Sequence, residues 1–201
     1  MPVSAYEIAR QLANDLRIQY GFSGVRIKKS DIKRIYKDQG VRIDYWDHKL
    51  KNLRGAYFPA PHGPSVMIAK NLPEEPQIFT LAHELKHHLT DQQYAVTFCD
   101  PTNQNAVVEK SAEVFAAELI FPKQRFVDYM GDANILAGSC TADDLVHLKV
   151  NSRTTLSYAA LCKTAELLRY CEPGAFAKVK FRIRQEQLYG VPLYKRLRRN
   201  R

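Results

Sequence analysis

Apolar residues at helical spacing mark the first element of the chain. Between residues 4 and 20 they recur every four positions after Ser4, a residue type that caps helices, so the pattern predicts an amphipathic helix. A second, shorter helix is predicted over residues 30–36 and is closed near Gly40. The side chains of the first helix that we expect to face a core are Ile8, Leu12, Leu16 and Tyr20.

Apolar and polar residues then alternate, which is the period of a half-buried strand. The alternation is clearest in residues 41–46, and two further extended segments, 55–58 and 65–69, are joined by a stretch rich in proline and glycine. We therefore predict a small β-sheet. Residues 76–89 return to helical spacing and predict the next helix, preceded by two glutamates whose charges favour a helix N-terminus.

The second half of the chain is mostly helical by the same criterion. After a polar, irregular segment at 94–104, a helix is predicted from Val107 until Pro122 stops it. Residues 179–184 alternate again and predict an edge-type strand with outward cationic side chains. The predicted fold class is α+β, with an N-terminal helix and a short sheet packed on two central helices and a helical C-terminal part after them. The other predicted helices cover residues 123–130, 141–149 and 153–170.

Composition places the chain among globular proteins, since 45% of its residues are hydrophobic and 25% are charged. No stretch approaches the ~18 apolar residues that a membrane-spanning helix needs, and the N-terminus does not resemble a secretory signal. We therefore expect a soluble, cytoplasmic protein without membrane contact.

The cysteines lack the spacing of a thiolate metal site or a disulfide framework, so reduced, buried thiols are expected at Cys99, Cys140, Cys162 and Cys171.

Positive charge is concentrated at the C-terminus. The chain carries a formal charge of +9, and residues 178–201 hold nine Lys or Arg and one Glu, whereas residues 1–177 are nearly neutral. We therefore predict a domain at 1–177 and a basic C-terminal strand and tail at 178–201. A solvated tail is one interpretation of such a run, and contact with nucleic acid or an acidic partner is the other.

The helix-turn-helix pattern in 141–170 is interpreted as two helices that pack on the rest of the protein, because the segment lacks the basic footprint of a DNA-binding helix.

The predicted central helix holds the candidate chemistry in the sequence His-Glu-Leu-Lys-His. Residues four apart share one face of a helix, so His83 and His87 can bind one cation, and Glu84 beside them suits the general base of a zinc hydrolase. Two histidines that merely pack or face solvent are the alternative. His88 points about 100° away from His87 and is interpreted as a surface residue or an indirect support of the site.

The third metal ligand must come from another segment, because a catalytic zinc takes three protein ligands and leaves one position open for water. Asp91 is too close to the end of the same helix, Asp100 lies in a loop, and Glu118 is on the far side of its helix. The remaining candidates are Glu109 and Glu113, with the glutamate that does not bind metal oriented toward a histidine N–H.

Two separated segments carry a family resemblance. The first is Phe79-Thr-Leu-Ala-His-Glu-Leu-Lys-His87, and the second begins at Glu109, continues through Phe-Ala-Ala-Glu-Leu-Ile and ends at Pro122. Their order and separation resemble the ImmA/IrrE family of bacterial and phage metallopeptidases, and the similarity covers roughly residues 30–165. The resemblance implies a small zincin-like domain.

The resemblance also implies a role for individual residues. The family's third ligand is the glutamate six residues before the Phe-Ala pair, which is Glu109 here. Glu113 stands where the family often has Asn, so it is kept as a supporting residue or fallback ligand. Lys86 stands where Gly is usual, a change that removes no ligand.

The function that the resemblance implies is a metal-dependent endopeptidase that cleaves a helix-turn-helix repressor and so derepresses a phage, mobile-element or stress operon. Zn²⁺ is the expected cofactor and Mn²⁺ the alternative. Glu84 would take a proton from water and return it to the leaving amine. The competing hypothesis is a non-proteolytic, metal-bound partner that sequesters a repressor or binds nucleic acid through the basic tail. A protease that acts on other cellular proteins is a third.

Overall fold

Two compact units make up the chain. The first comprises Met1–Lys123 with Thr154–Leu156, and the second comprises Gln124–Arg153 with Ser157–Arg201. The predicted domain limit at residue 177 stays a prediction.

None of the helices in the described residues has the length and apolar character of a membrane-spanning segment. The structure, a computed structural model, describes residues 4–47, 54–59, 63–92, 97–98 and 106–191.

Helices and a mixed sheet build the first unit, which confirms the predicted α+β class. Its helices are α1 (Ala5–Gln19), α2 (Lys29–Asp38), α3 (Glu74–Thr90) and α4 (Ala106–Ile120). Its strands are β1 (Arg42–Trp46), β2 (Gly55–Phe58), β3 (Ser65–Ala69) and β4 (Thr97–Phe98). The strand order is β1-β3-β2-β4, with β1 parallel to β3 and with β2 antiparallel to both β3 and β4. The prediction of an irregular segment missed β4, because two residues are too few to show a period.

The motif helix α3 lies at the centre of this unit. It packs against β2 and β3 and also against α4, while α2 packs on α3 and α1 packs on α4. Tyr57, Val66 and Ile68 on the two central strands β2 and β3, on which α3 packs, are fully buried. Burial on several sides holds α3 in a fixed position relative to α4, the other helix that carries candidate ligands.

The prediction of the buried face of α1 was only partly right, because Leu16 is buried and Leu12 and Tyr20 are half-buried, but Ile8 is exposed. Ser4 caps the helix as predicted, with its side chain accepting a hydrogen bond from the Glu7 N–H at 3.2 Å. However, Ile8 is 55% exposed, and the buried residues are Ala9, Ala13, Leu16 and Arg17. Residues four apart rotate by about 40° per step, so a strict four-residue series drifts around a helix. The small alanines also allow α1 to approach α4 closely.

The second unit is helical among the residues that the structure describes. It contains α5 (Lys123–Asp132), which begins at the boundary, α6 (Ala142–Ser152), α7 (Tyr158–Leu167) and α8 (Phe181–Tyr189). Thr141 caps α6 as predicted. The last long helix is shorter than the predicted 153–170, because Arg153 has a left-handed backbone and Ser157 caps a new helix by accepting a hydrogen bond from the Ala160 N–H.

The predicted strand at 179–184 is wrong, because α8 occupies most of that segment. The side chain of Phe181 is buried and stacks on Tyr158, with ring centroids 4.6 Å apart. The residues that follow Phe181 are mainly Arg, Gln, Glu and Leu, which favour helices. Helix propensity and the buried, stacked side chain of Phe181 therefore determine the structure of this segment, and the short alternation of apolar and polar residues does not. The tail from residue 192 onward lies outside the described residues, so the prediction made for it is not tested.

Three of the four cysteines lie in the second unit as free thiols. Burial raises the pKa of Cys140 to about 12 and that of Cys162 to about 11. Such thiols stay protonated near neutral pH and are poor nucleophiles. Cys99 lies outside the described residues.

Candidate metal centre

Helix α3 brings His83 and His87 to one position. Pro73 is its N-cap residue, and Glu74 and Glu75 lie in the first turn, where negative charge favours the helix. The i, i+4 spacing sets the two imidazole rings 5.0 Å apart between centroids, and their Nε2 atoms are 3.2 Å apart. Both histidines are buried, and His87 is fully so.

Glu109 on α4 completes the group. Its Oε2 lies 3.3 Å from Nε2 of His83, and its Oε1 lies 3.5 Å from Nε2 of His87. Ligand atoms of these three residues all lie within 4.8 Å of one another, and they form the group that could hold a metal ion among the described residues. The structure therefore brings together the three residues predicted as ligands.

The spacing of the three residues fits a tetrahedral metal. Zinc bonds of about 2.0–2.1 Å in tetrahedral geometry place the ligand atoms about 3.3–3.4 Å from one another. The two imidazole Nε2 atoms are 3.2 Å apart, which is close to that distance, and each lies 3.3 or 3.5 Å from a different oxygen of the Glu109 carboxylate. Two imidazoles and one carboxylate are also the donor set of catalytic zinc sites. The residues present thus fit a metal ion.

Negative charge surrounds His83. Burial alone would lower the pKa of this imidazole, but the hydrogen bond that it donates to the Glu109 carboxylate and the charges of Glu84, Glu109 and Glu113 raise the pKa above its ordinary value. The site therefore favours a positive charge, which a proton or a metal ion can supply.

Glu84, the predicted general base, is fully buried where α3 meets the start of β2. The neighbouring backbone is that of Gly55. A Cβ atom at residue 55 would lie 2.7 Å from Oε1 of Glu84 and 2.5 Å from Cγ2 of Thr80. Only glycine allows the strand to come this close without displacing the carboxylate. Sequence reasoning did not single out Gly55 as a site residue.

Replacing Gly55 with alanine should displace Glu84 or Thr80. We expect the free energy of unfolding to fall by about 1–3 kcal/mol, as in other overpacked cores, and peptide hydrolysis to slow. Urea denaturation and a hydrolysis assay would measure the two effects. Gly131→Ala is the matched control, because a Cβ there meets nothing within 4 Å. A Gly55→Ala protein with wild-type stability and rate would contradict the close approach.

Asp91 supports His87, a role that sequence reasoning missed. Asp91, which the sequence analysis set aside as a third ligand, lies outside the three-residue group, but its Oδ2 lies 2.8 Å from Nδ1 of His87 and 2.7 Å from Nζ of Lys86. Burial would raise the pKa of this carboxyl, but the hydrogen bonds from His87 and Lys86 and the charge of Lys86 lower it overall. The available signal was a carboxylate four residues after a motif histidine.

Glu113 lies outside the three-residue group. Its Oε2 contacts Nζ of Lys110 at 3.0 Å, and about half of each side chain is exposed. It is still close enough for its charge to raise the pKa of His83. Glu113 thus contributes to the electrostatic field of the site, while the carboxylate that contacts Nδ1 of His87 is that of Asp91.

His88 is buried, so its interpretation as a surface residue was wrong. Its Nδ1 lies 3.0 Å from the hydroxyl oxygen of Tyr57 on β2, and desolvation lowers its pKa. The contact ties α3 to the sheet beside the candidate site. Asp100, another residue considered as a ligand, lies outside the described residues.

Comparison with known families agrees with this geometry. A family model, Peptidase M78, described as an IrrE N-terminal-like domain, matches residues 36–166, which is more than half of the chain. The matched span includes α3 and α4 and therefore every residue of the candidate site. No curated protein sequence matches the chain.

Proposed function

This chain belongs to the Peptidase M78 (IrrE N-terminal-like) family, and we propose that it is a zinc-dependent endopeptidase of the zincin-like type. The family indicates a metallopeptidase, and zinc is proposed from the donor set. The observation that carries the proposal is the convergence of ligand atoms of His83, His87 and Glu109 within 4.8 Å of one another, next to the buried Glu84.

The metal-binding residues have separate tasks in this proposal. His83 and His87 would hold the ion through Nε2, and Glu109 would hold it through its carboxylate. When bound, zinc lowers the pKa of a coordinated water toward ~7 and polarises a carbonyl group. Manganese is the alternative, because imidazole and carboxylate ligands suit both ions.

Glu84 acts as the general base. Its carboxylate is buried, immediately follows His83 in the sequence and raises the pKa of that histidine by its charge. A carboxylate in a site that excludes water can take a proton from the attacking water and return it to the leaving amine. Gly55 leaves the space in which this carboxylate lies.

The three side chains that would bind the metal differ in their exposure to solvent. The Glu109 side chain is 20% exposed and that of His83 is 10% exposed, whereas His87 is closed to solvent. A polypeptide substrate would therefore approach from the side of Glu109 and His83.

The substrate that we propose is a helix-turn-helix transcriptional repressor, cut to release a phage, mobile-element or stress operon. Support comes from the resemblance to ImmA/IrrE proteins. A cytoplasmic location, where such repressors act, is part of the same proposal. The basic C-terminal region is proposed to contact the repressor or nucleic acid, and residues 178–191 contribute Lys and Arg side chains to it.

Intact-mass analysis of the repressor encoded nearest to this gene tests the proposal. The repressor is incubated with the purified protein loaded with zinc or manganese, and in parallel with protein stripped by a chelator. We expect a single cut that requires metal and returns when metal is restored. A repressor that is bound but uncut would support the sequestering alternative instead. If it is neither cut nor bound, the substrate assignment is wrong.

A further inference from the structure

Lys86 and Asp91 form a buried ion pair beside His87. The Lys86 Nζ lies 3.0 Å from Oδ1 and 2.7 Å from Oδ2 of Asp91, and the two side chains are only 8% and 7% exposed. The same Oδ2 lies 2.8 Å from Nδ1 of His87. One carboxylate therefore links a buried lysine to a candidate metal ligand.

The stability of α3 does not account for this pair. Burying two charges costs several kcal/mol per ion, so a buried ion pair is often no more stabilising than apolar residues of the same size. Asp91 is also the C-cap residue of α3. A negative charge is unfavourable there, because the carbonyl oxygens at the C-terminus of a helix carry partial negative charge. An acidic residue at this position is therefore explained by a role other than the stability of the helix.

The contacts around the Asp91 carboxylate hold it in one orientation. Lys86 contacts both oxygens, the hydroxyl of Thr90 is 3.1 Å from Oδ1, and the backbone N–H of Asp91 donates to the His87 carbonyl oxygen at 2.9 Å. A carboxylate whose two oxygens are both engaged cannot rotate without breaking a hydrogen bond. Its Oδ2 thus stays in place for the imidazole of His87.

We propose that Lys86 and Asp91 are a positioning pair for metal binding, in which Lys86 fixes the carboxylate of Asp91 and Asp91 fixes the ring of His87. Because an ionised carboxylate only accepts hydrogen bonds, Nδ1 of His87 carries the hydrogen. The lone pair is then on Nε2, which lies 3.2 Å from Nε2 of His83 and 3.5 Å from Oε1 of Glu109. The inference rests on the proposed function only in that His87 binds the metal.

Two single variants and their combination test the pair through zinc affinity, measured at one pH by competition with a chromophoric chelator. Carboxylates that orient a ligating histidine are worth about 10–100-fold in metal affinity, so Asp91→Ala should weaken zinc binding by that amount. Lys86→Met should weaken it by about tenfold, the lower end of the range, because the carboxylate remains but is no longer held. The double variant should bind zinc no more tightly than Asp91→Ala.

Stability of the metal-free proteins separates positioning from a structural role. Each single variant leaves one buried charge without its partner and should be destabilised, whereas the double variant removes both charges and should recover stability. Recovered stability with zinc affinity still about 10–100-fold weaker supports the positioning pair. A double variant that recovers both stability and zinc affinity overturns it.

Lys70→Met is the matched control, because Lys70 contacts Asp47 at 3.1 Å and both side chains are well exposed. It makes the same charge change outside the site and should leave zinc affinity unaltered. Should the single variants fail to fold, the double variant still decides, since it contains no unpaired buried charge. A wild-type protein that binds no zinc would overturn the proposed function and the inference together. Tight binding by the wild type and by all variants would overturn the inference alone.

Discussion

Replacing Glu84 with glutamine is expected to slow peptide hydrolysis by about 10²–10⁴-fold, the usual contribution of a general base. Glutamine has nearly the same size as glutamate, so it should fit the space beside Gly55. The amide cannot accept a proton from water at neutral pH. Zinc binding should be retained, because Glu84 is not one of the three residues whose ligand atoms converge.

The measurement is kcat/KM for cleavage of the repressor, with zinc content determined on the same samples. Glu74→Gln provides a matched control, because this glutamate lies in the first turn of the same helix and is exposed. We expect the control to have the wild-type rate. If Glu84→Gln hydrolyses its substrate as fast as the wild type with the same zinc content, Glu84 is not the general base.

Removing the carboxylate of Glu109 is expected to have the largest effect on metal binding. Loss of a residue that merely orients a ligand costs about 10–100-fold in affinity, so loss of the ligand itself in Glu109→Gln should exceed ~100-fold. Hydrolysis should be lost with the metal. The reason is geometric, since Glu109 is the residue of α4 whose oxygens lie 3.3 and 3.5 Å from the two imidazoles.

Glu113→Gln is the informative comparison, because it removes a carboxylate from the same helix one turn further on. We expect a change in zinc affinity of less than about tenfold, since Glu113 lies outside the three-residue group and its half-exposed charge is screened by water. Competition with a chromophoric chelator measures the zinc affinity of both variants in one experiment. The opposite result, with metal lost in Glu113→Gln and kept in Glu109→Gln, would make Glu113 the ligand.

The same helix serves binding, catalysis and orientation. His83 and His87 point toward α4, Glu84 lies against Gly55, and Asp91 supports His87 from the last turn. Since the sheet and α4 both pack on α3, small changes in that packing act on all three roles. This is why Gly55, which carries no side chain, is expected to matter for hydrolysis.

Sequence patterns predicted those features of the fold that depend on residues close together in the chain. The positions of α3 and α4, the first three strands and the caps at Ser4 and Thr141 follow from local spacing and turn chemistry. The sequence pattern gave a wrong prediction where a segment was too short to show a period, or where packing against a distant part of the chain determined the local structure. Of the predicted strand 179–184, residues 181–184 are helical and start at the buried Phe181, and the two residues of β4 are too few to show a period.

The candidate site divides in the same way. The sequence by itself determined that His83 and His87 share one helix face, because 3.6 residues per turn fixes their relative position. The residues alone left Glu109 and Glu113 open as the third ligand, and only the packing of α4 on α3 brings Glu109 to the histidines. Gly55 and the Lys86–Asp91 pair likewise depend on the packing of strand and helix and on side-chain orientation at the end of α3. Periodicity acts within one element, whereas the distance between atoms on different elements is set by how the whole unit packs.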